Sequence, residues 1–566
     1  MKTHIAMILI GSALLAGFAV SPAYSQQPEM GPMRPDRPVD LPPGRGFIPP
    51  PMDLSYLEGA ELPARLKPAV PPTIWDWREQ GKITSIKNQG GCGSCYSFAS
   101  LANIEAKILI DNLGTFDFSE NNAKECNWYD RSCNGGSYYD LASLFSQKGI
   151  VLEACDPYVA NNVSCNTTCV PSKTLLDWRI ICADNVPAAS VLKDYIFTCG
   201  PVYTTYYAGN GDAWETEMNN YDGSYTMYYA GAEEPNHAVL IVGWDDNLVH
   251  AGGTGGWIVK NSWGTSWGGT CGYGSEGGYF TMAYGSASIG MWSSFAADWQ
   301  DHDQNATIFY YDEAGWTCNY GWSSPTGWGL CKFVPAEDFD LTRVEFWTND
   351  VTSDIDVYIY DDFDGTTLSN KLTEKLDKSY AEAGYHSVGL DSVLAIGAGN
   401  DFYAVVKFTN ASQSYPFAAD NLGPIEIGKT YISLSGASGT WIDVGSSASV
   451  DLGIRVRSGT ALSLSVDEDE ELLPSGFCLT QNHPNPFNPA TTIDYSIPRR
   501  THVEISVYNL LGQQINTLVD AIKPPGEHSI IWNGQDVAGN RIPSGVYFYR
   551  IRTSDFVQSK KMVLLK

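Results

Sequence analysis

Apolar residues recur along this chain with two different periods. From Ser94 to Leu113 neither glycine nor proline interrupts the sequence, and Leu101, Ile104 and Ile108 fall at helical spacing, so an amphipathic helix with one buried face is predicted to start near Ser94. Two short, nearly continuous apolar runs, 236–244 and 256–260, predict buried strands. Past residue 304 the period falls to two. Segments 344–347, 355–360 and 401–408 alternate apolar and polar positions, which predicts half-buried β-structure. An apolar stretch, 5–20, follows Lys2 and His4 and precedes Ala23-Tyr24-Ser25, a small-x-small cleavage pattern, so 1–25 reads as a signal peptide.

The chemistry sits at the edges of these elements. Cys95 falls in the first turn of the expected helix, six residues after Gln89. A thiol attacks as thiolate, and a helix N-terminus together with an imidazolium lowers the pKa that otherwise keeps it protonated. His237 opens the first buried strand, 142 residues after Cys95, and is the candidate base. Asn261 ends the second, and its neutral amide can fix an imidazole without removing the proton that stabilises a thiolate–imidazolium pair.

With these residues in order, the segment from Pro71 to about Ser294 resembles the papain and cathepsin family of cysteine peptidases. The resemblance implies Cys95, His237 and Asn261 as catalytic residues and Gln89 as the oxyanion-binding amide. It implies that Gly135-Gly136 binds an extended substrate backbone, with Tyr138 on the wall of the second substrate pocket, and that Trp263 shields the Asn–His hydrogen bond. Tyr96 stands where the family has tryptophan. The resemblance also implies that Cys92 pairs with Cys133 and Cys126 with Cys165 or Cys169, while Cys95 stays unpaired. It implies neither metal nor organic cofactor, and peptide or protein substrates.

Length and charge narrow the rest. A chain of 566 residues is expected to hold several domains. Its net charge of −29 argues against nucleic-acid binding, which needs clustered Lys and Arg. Thirteen cysteines in an exported chain imply disulfides, and Cys318 with Cys331 are expected to close a local loop.

Residues 26–70 are a proline-rich leader or short pro-segment, extended rather than helical, removed near 69–72; the long helical pro-segment usual in the family is missing. Residues 71–300 are the peptidase. Residues 304–459 resemble a lectin-like β-sandwich, in which Trp316, Trp322 and Trp328 are either a platform for stacking sugars or core. Asp361, Asp362 and Asp364 read as a solvated turn. An acidic linker, 460–476, leads to 477–566, where Gln481-Asn482-His483-Pro484-Asn485-Pro486-Phe487-Asn488-Pro489 and a strand-like C-terminus resemble Ig-like type IX secretion sorting domains. The fold class expected is α+β: a two-lobed papain-like peptidase, with a helical lobe and a β-barrel-like lobe, followed by two all-β sandwich domains. The expected function is a secreted or surface cysteine endopeptidase working through a Cys-His-Asn acyl-enzyme. Its expected partners are peptide substrates, glycans at the middle sandwich, and outer-membrane secretion machinery at the tail. The alternative is a surface adhesion or glycan-binding protein whose peptidase fold is catalytically quiet.

Overall fold

The computed structural model describes residues 27–35, 41–64, 66–67, 71–459, 477–497, 501–523, 526–537, 539–553 and 556–565. The expected signal peptide, the acidic linker and residues 69–70 at the expected leader cleavage point lie outside the described residues. The helix expected from the apolar period is α1 (Cys95–Ile110), followed by α2 (Glu120–Cys126), α3 (Tyr138–Gln147), α4 (Ala189–Thr198) and α5 (Ala213–Asn219). Leu101, Ile104 and Ile108 of α1 are wholly buried, a contribution of about 1.5–3 kcal/mol each. Asn103 fastens the same helix to the sheet. Its amide donates to the Pro201 carbonyl and its Oδ1 accepts from the Ala296 amide.

α1 and α3 pack with Ala238 and Tyr203 on one face of an antiparallel sheet, and α4 and α5 pack with Val239 and Ile241 on the other face of that sheet. Its strands run in the order Tyr279–Ala283, Gly253–Lys260, His237–His250, Val202–Tyr206, Met291–Asp301 and Lys173–Ile180. The sheet does not end there. Ala383–Ile396 pairs with Lys173–Ile180, and Phe339–Thr348 and Ile454–Ser458 continue it, so the peptidase region and the middle sandwich share one sheet.

Buried ion pairs fill the seam between them. Arg455 donates to Asp312 and to the Ser143 and Ser146 hydroxyls of α3, and Arg457 donates to Glu345 and to the Ser146 carbonyl. Such pairs are costly to break from one side only, because a lone charge is then left in the interior.

The middle sandwich closes its core between this sheet and a six-stranded one containing Thr326–Phe333, Ser353–Phe363 and Phe402–Asn410. Cys318 and Cys331 do not pair. Cys318 lies in a four-stranded sheet and Cys331 in the six-stranded one, and both thiols are buried as core side chains. Trp316 and Trp322, 3 % and 5 % exposed, are core as well. Asp364 caps its own turn by accepting from the Thr366 and Thr367 amides, as a solvated turn does. The C-terminal unit is a separate two-sheet sandwich around Ile505, Val507, Tyr549 and Trp532.

Candidate active site

α1 begins at Cys95 itself, so the thiol stands at the positive end of the helix. His237 begins the strand that crosses beside it, and the Ala238 amide donates to Cys95 Sγ at 3.3 Å. Asn261 follows directly on the next strand, and its Oδ1 lies 2.9 Å from His237 Nε2. The other ring nitrogen, Nδ1, is buried without a partner. The Trp263 ring lies 4.9 Å from the imidazole, tilted by 39°. Gln89 is fully buried, its Oε1 accepting from the Ser262 hydroxyl while Nε2 donates to the Cys92 carbonyl. Three chain segments far apart in sequence thus bring Cys95, His237, Asn261, Gln89 and Trp263 together.

Gly136 stands where a side chain would crowd its neighbours. A Cβ at Gly136 would stand 2.8 Å from Asp140 Oδ2 and 2.9 Å from the Tyr96 ring. Gly135, at φ +94°, takes a conformation that favours glycine. Tyr138 does not line the cleft. As the first residue of α3 it turns inward, is fully buried, and stacks on Tyr139 and Trp178. Disulfides Cys92–Cys133 and Cys126–Cys165 brace the loops around the site, joined by Cys155–Cys169, a pairing with no signal in the sequence.

The cleft is occupied by the leader. The Gly136 amide donates to the Gly46 carbonyl at 2.9 Å, and the Ile48 amide donates to the Gly136 carbonyl at 3.0 Å. The Gly46 and Phe47 amides both donate to the Asn236 carbonyl, and Gln89 Nε2 donates to the Gly44 carbonyl at 3.1 Å. Asn236 is a site residue that sequence reasoning missed; its one signal was its place next to the candidate base. Nor did the leader's composition reveal this path, although the Gly44-Arg45-Gly46 step among prolines is where a backbone can approach closely.

This burial sets the charge state of the site. Removal from water pushes the Cys95 thiol up to about 12 and pulls His237 down to about 3, the Arg45 guanidinium adding to the fall of the histidine. Thiol and imidazole are both neutral while the leader is in place.

Residues 71–297 match the family model of the papain family cysteine proteases, 308–456 that of the lectin like domain, and 482–565 that of the secretion system C-terminal sorting domain. The chain is 30 % identical over 233 residues to the viral cathepsin of Autographa californica nuclear polyhedrosis virus, covering 41 % of this chain and 65 % of that protein. It is 32 % identical over 214 residues to the viral cathepsin of Choristoneura fumiferana nuclear polyhedrosis virus, covering 37 % and 59 %. The chain thus spans less than two thirds of the length of these curated relatives. Among solved structures, the cysteine protease and lectin-like domains of Cwp84, a surface layer associated protein of Clostridium difficile, superpose with a TM-score of 0.59 at 20 % identity. That match covers 74 % of this chain and 93 % of the other. A second structure, clostridial Cwp84 after propeptide cleavage, gives 0.56 at 19 % identity over 68 % of this chain. The chain therefore carries a papain-like peptidase domain joined to a lectin-like domain, together with a C-terminal sorting domain, the make-up of an exported protein.

Proposed function

We propose that this protein is an exported cysteine endopeptidase made as a latent precursor. Cys95 attacks the scissile carbonyl, and Gln89 with the Cys95 amide holds the oxyanion. His237 gives its proton to the leaving amine, while Asn261 keeps the ring oriented. Water then adds to the acyl-thioester, returning the proton to the thiol–imidazole pair and releasing the acid. The observation that carries this reading is the path of residues 44–48, which satisfy the Gly136, Asn236 and Gln89 hydrogen-bonding groups as an extended peptide would.

The direction of that path explains why the leader is not itself cleaved at the thiol. The leaving amine must lie on the His237 side, so a productive substrate runs from Gly136 towards Trp263. The leader has Arg45 at Trp263 and Ile48 at Gly136, so it runs the opposite way. Hydrolysis of an unbiased peptide library by full chain and by leader-free protein, each with its Cys95→Ala counterpart, tests the proposal. Cleavage by leader-free protein that is lost in the variant supports it; equal cleavage by variant and parent rejects the thiol mechanism, and equal cleavage by full chain and leader-free protein rejects latency.

A second activity is favoured by one surface. On the outer face of the six-stranded sheet Trp328 stacks on Tyr358 at 5.4 Å, with Lys407 5.8 Å above the indole, a half-buried platform of the kind that holds a sugar face. Glycan-array binding by Cys95→Ala protein that disappears in Trp328→Ala is the expected result, and no binding by either removes the glycan role. The tail is proposed to engage outer-membrane secretion machinery, and unaltered export after deletion of 477–566 would reject that.

A further inference from the structure

α5 lies in the segment before His237 and adds an acidic wall to the leaving-group side of the cleft. Glu215 and Asn219 are four residues apart and so share one helix face. That face holds the side chain of Arg45, which is only 5 % exposed. Arg45 Nη2 donates to the Ala208 carbonyl at 3.1 Å and to Asn219 Oδ1 at 3.2 Å, with Glu215 Oε1 at 3.9 Å, and its guanidinium carbon lies 4.4 Å above the centre of the Trp263 ring.

The peptidase fold builds this pocket independently of the leader. Asp212 caps α5 by accepting from the Glu215 amide, and Trp214 Nε1 donates to the Tyr207 carbonyl. Trp267 Nε1 donates to the Met218 carbonyl, tying the far end of α5 to the loop that carries Trp263. The Asn236 side chain accepts from the Ala208 amide and donates to the Gly209 carbonyl, which fixes the pocket floor to the residue before His237.

We infer that Trp263, the Ala208 carbonyl, Glu215 and Asn219 form a subsite for an arginine side chain of the substrate, placed just after the scissile bond. The inference rests on the peptidase reading above. The pocket combines an indole face, two neutral acceptors and one carboxylate, a set that suits a flat guanidinium better than a compact ammonium. The leader's Arg45 occupies this subsite in the reversed direction, so the same acceptors serve both the latent and the working enzyme.

The test uses leader-free protein and quenched peptides that differ only in the residue after the scissile bond: arginine, lysine, alanine or glutamate. The expected order of kcat/KM is arginine, lysine, alanine, glutamate, with arginine favoured over alanine by roughly 10-fold, the factor that about 1.4 kcal/mol supplies. Glu215→Lys and Asn219→Ala should each lower the arginine-to-alanine ratio, and Glu215→Lys should raise the glutamate-to-alanine ratio. Cleavage of all four peptides at ratios that neither variant moves would overturn the subsite and leave the peptidase standing. Failure to cleave any peptide would overturn both.

Discussion

Gly46 of the leader lies directly against Gly93, two residues before the thiol. A methyl group on Gly46 would stand 1.9 Å from the Gly93 carbonyl oxygen, and one on Gly93 would stand 2.7 Å from the Arg45 carbonyl oxygen. Two facing glycines let two backbones touch where any side chain would hold them apart. Gly46→Ala should therefore lift the leader from the cleft, since overpacking of this kind costs about 1–3 kcal/mol. The expected outcome is alkylation of Cys95 in the unprocessed chain at least ~10-fold faster than in the parent. An unchanged rate would mean that the leader closes the cleft through other contacts.

Gln89 allows a sharper test of the oxyanion assignment. Its Nε2 points at the leader carbonyl of Gly44, where it can equally meet a developing oxyanion. Gln89→Ala in leader-free protein should lower kcat by about 10²- to 10³-fold with little change in KM, because the interaction strengthens only in the transition state. The same substitution removes the acceptor of the Ser262 hydroxyl, so thermal unfolding must be followed alongside. A fall in KM-dependent binding alone, at constant kcat, would assign Gln89 to substrate holding.

The bridged cysteines lie in the peptidase region, which also holds the unpaired Cys95, Cys182, Cys199 and Cys271. Cys318 and Cys331 are reduced core residues, whereas Cys92, Cys126 and Cys155 are each bridged. Denaturation in the presence of an alkylating agent, without reductant, should modify Cys318 and Cys331 and spare the six bridged positions. Peptide mapping that joins Cys318 to Cys331 would restore the local loop that their spacing suggested.

What could be read from the sequence was local. Cys95 at a helix start, His237 at a strand start and Asn261 at a strand end each sit at the edge of a single apolar period, so position and element could be inferred together. The leader's route past Gly136 and the joining of strands 173–180 and 383–396 are backbone pairings between segments that no sequence period connects. Tyr138 shows the limit for side chains. It is two residues from Gly136, yet the first turn of α3 points it into the core, and an aromatic residue beside a site carries no mark of which way it faces. Cys318 and Cys331 show the same limit: the twelve residues between them carry no sign that their two strands end in different sheets.

Burial of the thiol–imidazole pair makes leader release depend on pH. In the closed form His237 is pulled from its ordinary 6.5 to about 3, first by loss of water and then by the Arg45 charge, while Tyr206 packs edge-on against the ring 5.6 Å away. Once the leader leaves Cys95→Ala protein, water returns and the histidine, with no thiolate to pair with, should regain its ordinary value. Between about 6.5 and 3 the open form therefore binds a proton that the closed form does not, so acidification through that window favours opening by up to roughly tenfold per pH unit. In the parent the open form moves the Cys95 proton to His237 as a thiolate–imidazolium pair, which binds no extra proton, so its acid limb should be displaced to lower pH than that of Cys95→Ala protein. Hydrogen exchange at the Gly46, Phe47 and Ile48 amides, corrected for intrinsic rate, reads this directly in Cys95→Ala protein. That variant should show the acid limb from about 6.5 down to about 3. Protection that is flat from pH 7 to pH 4 would show that the imidazole keeps its access to water beneath the leader.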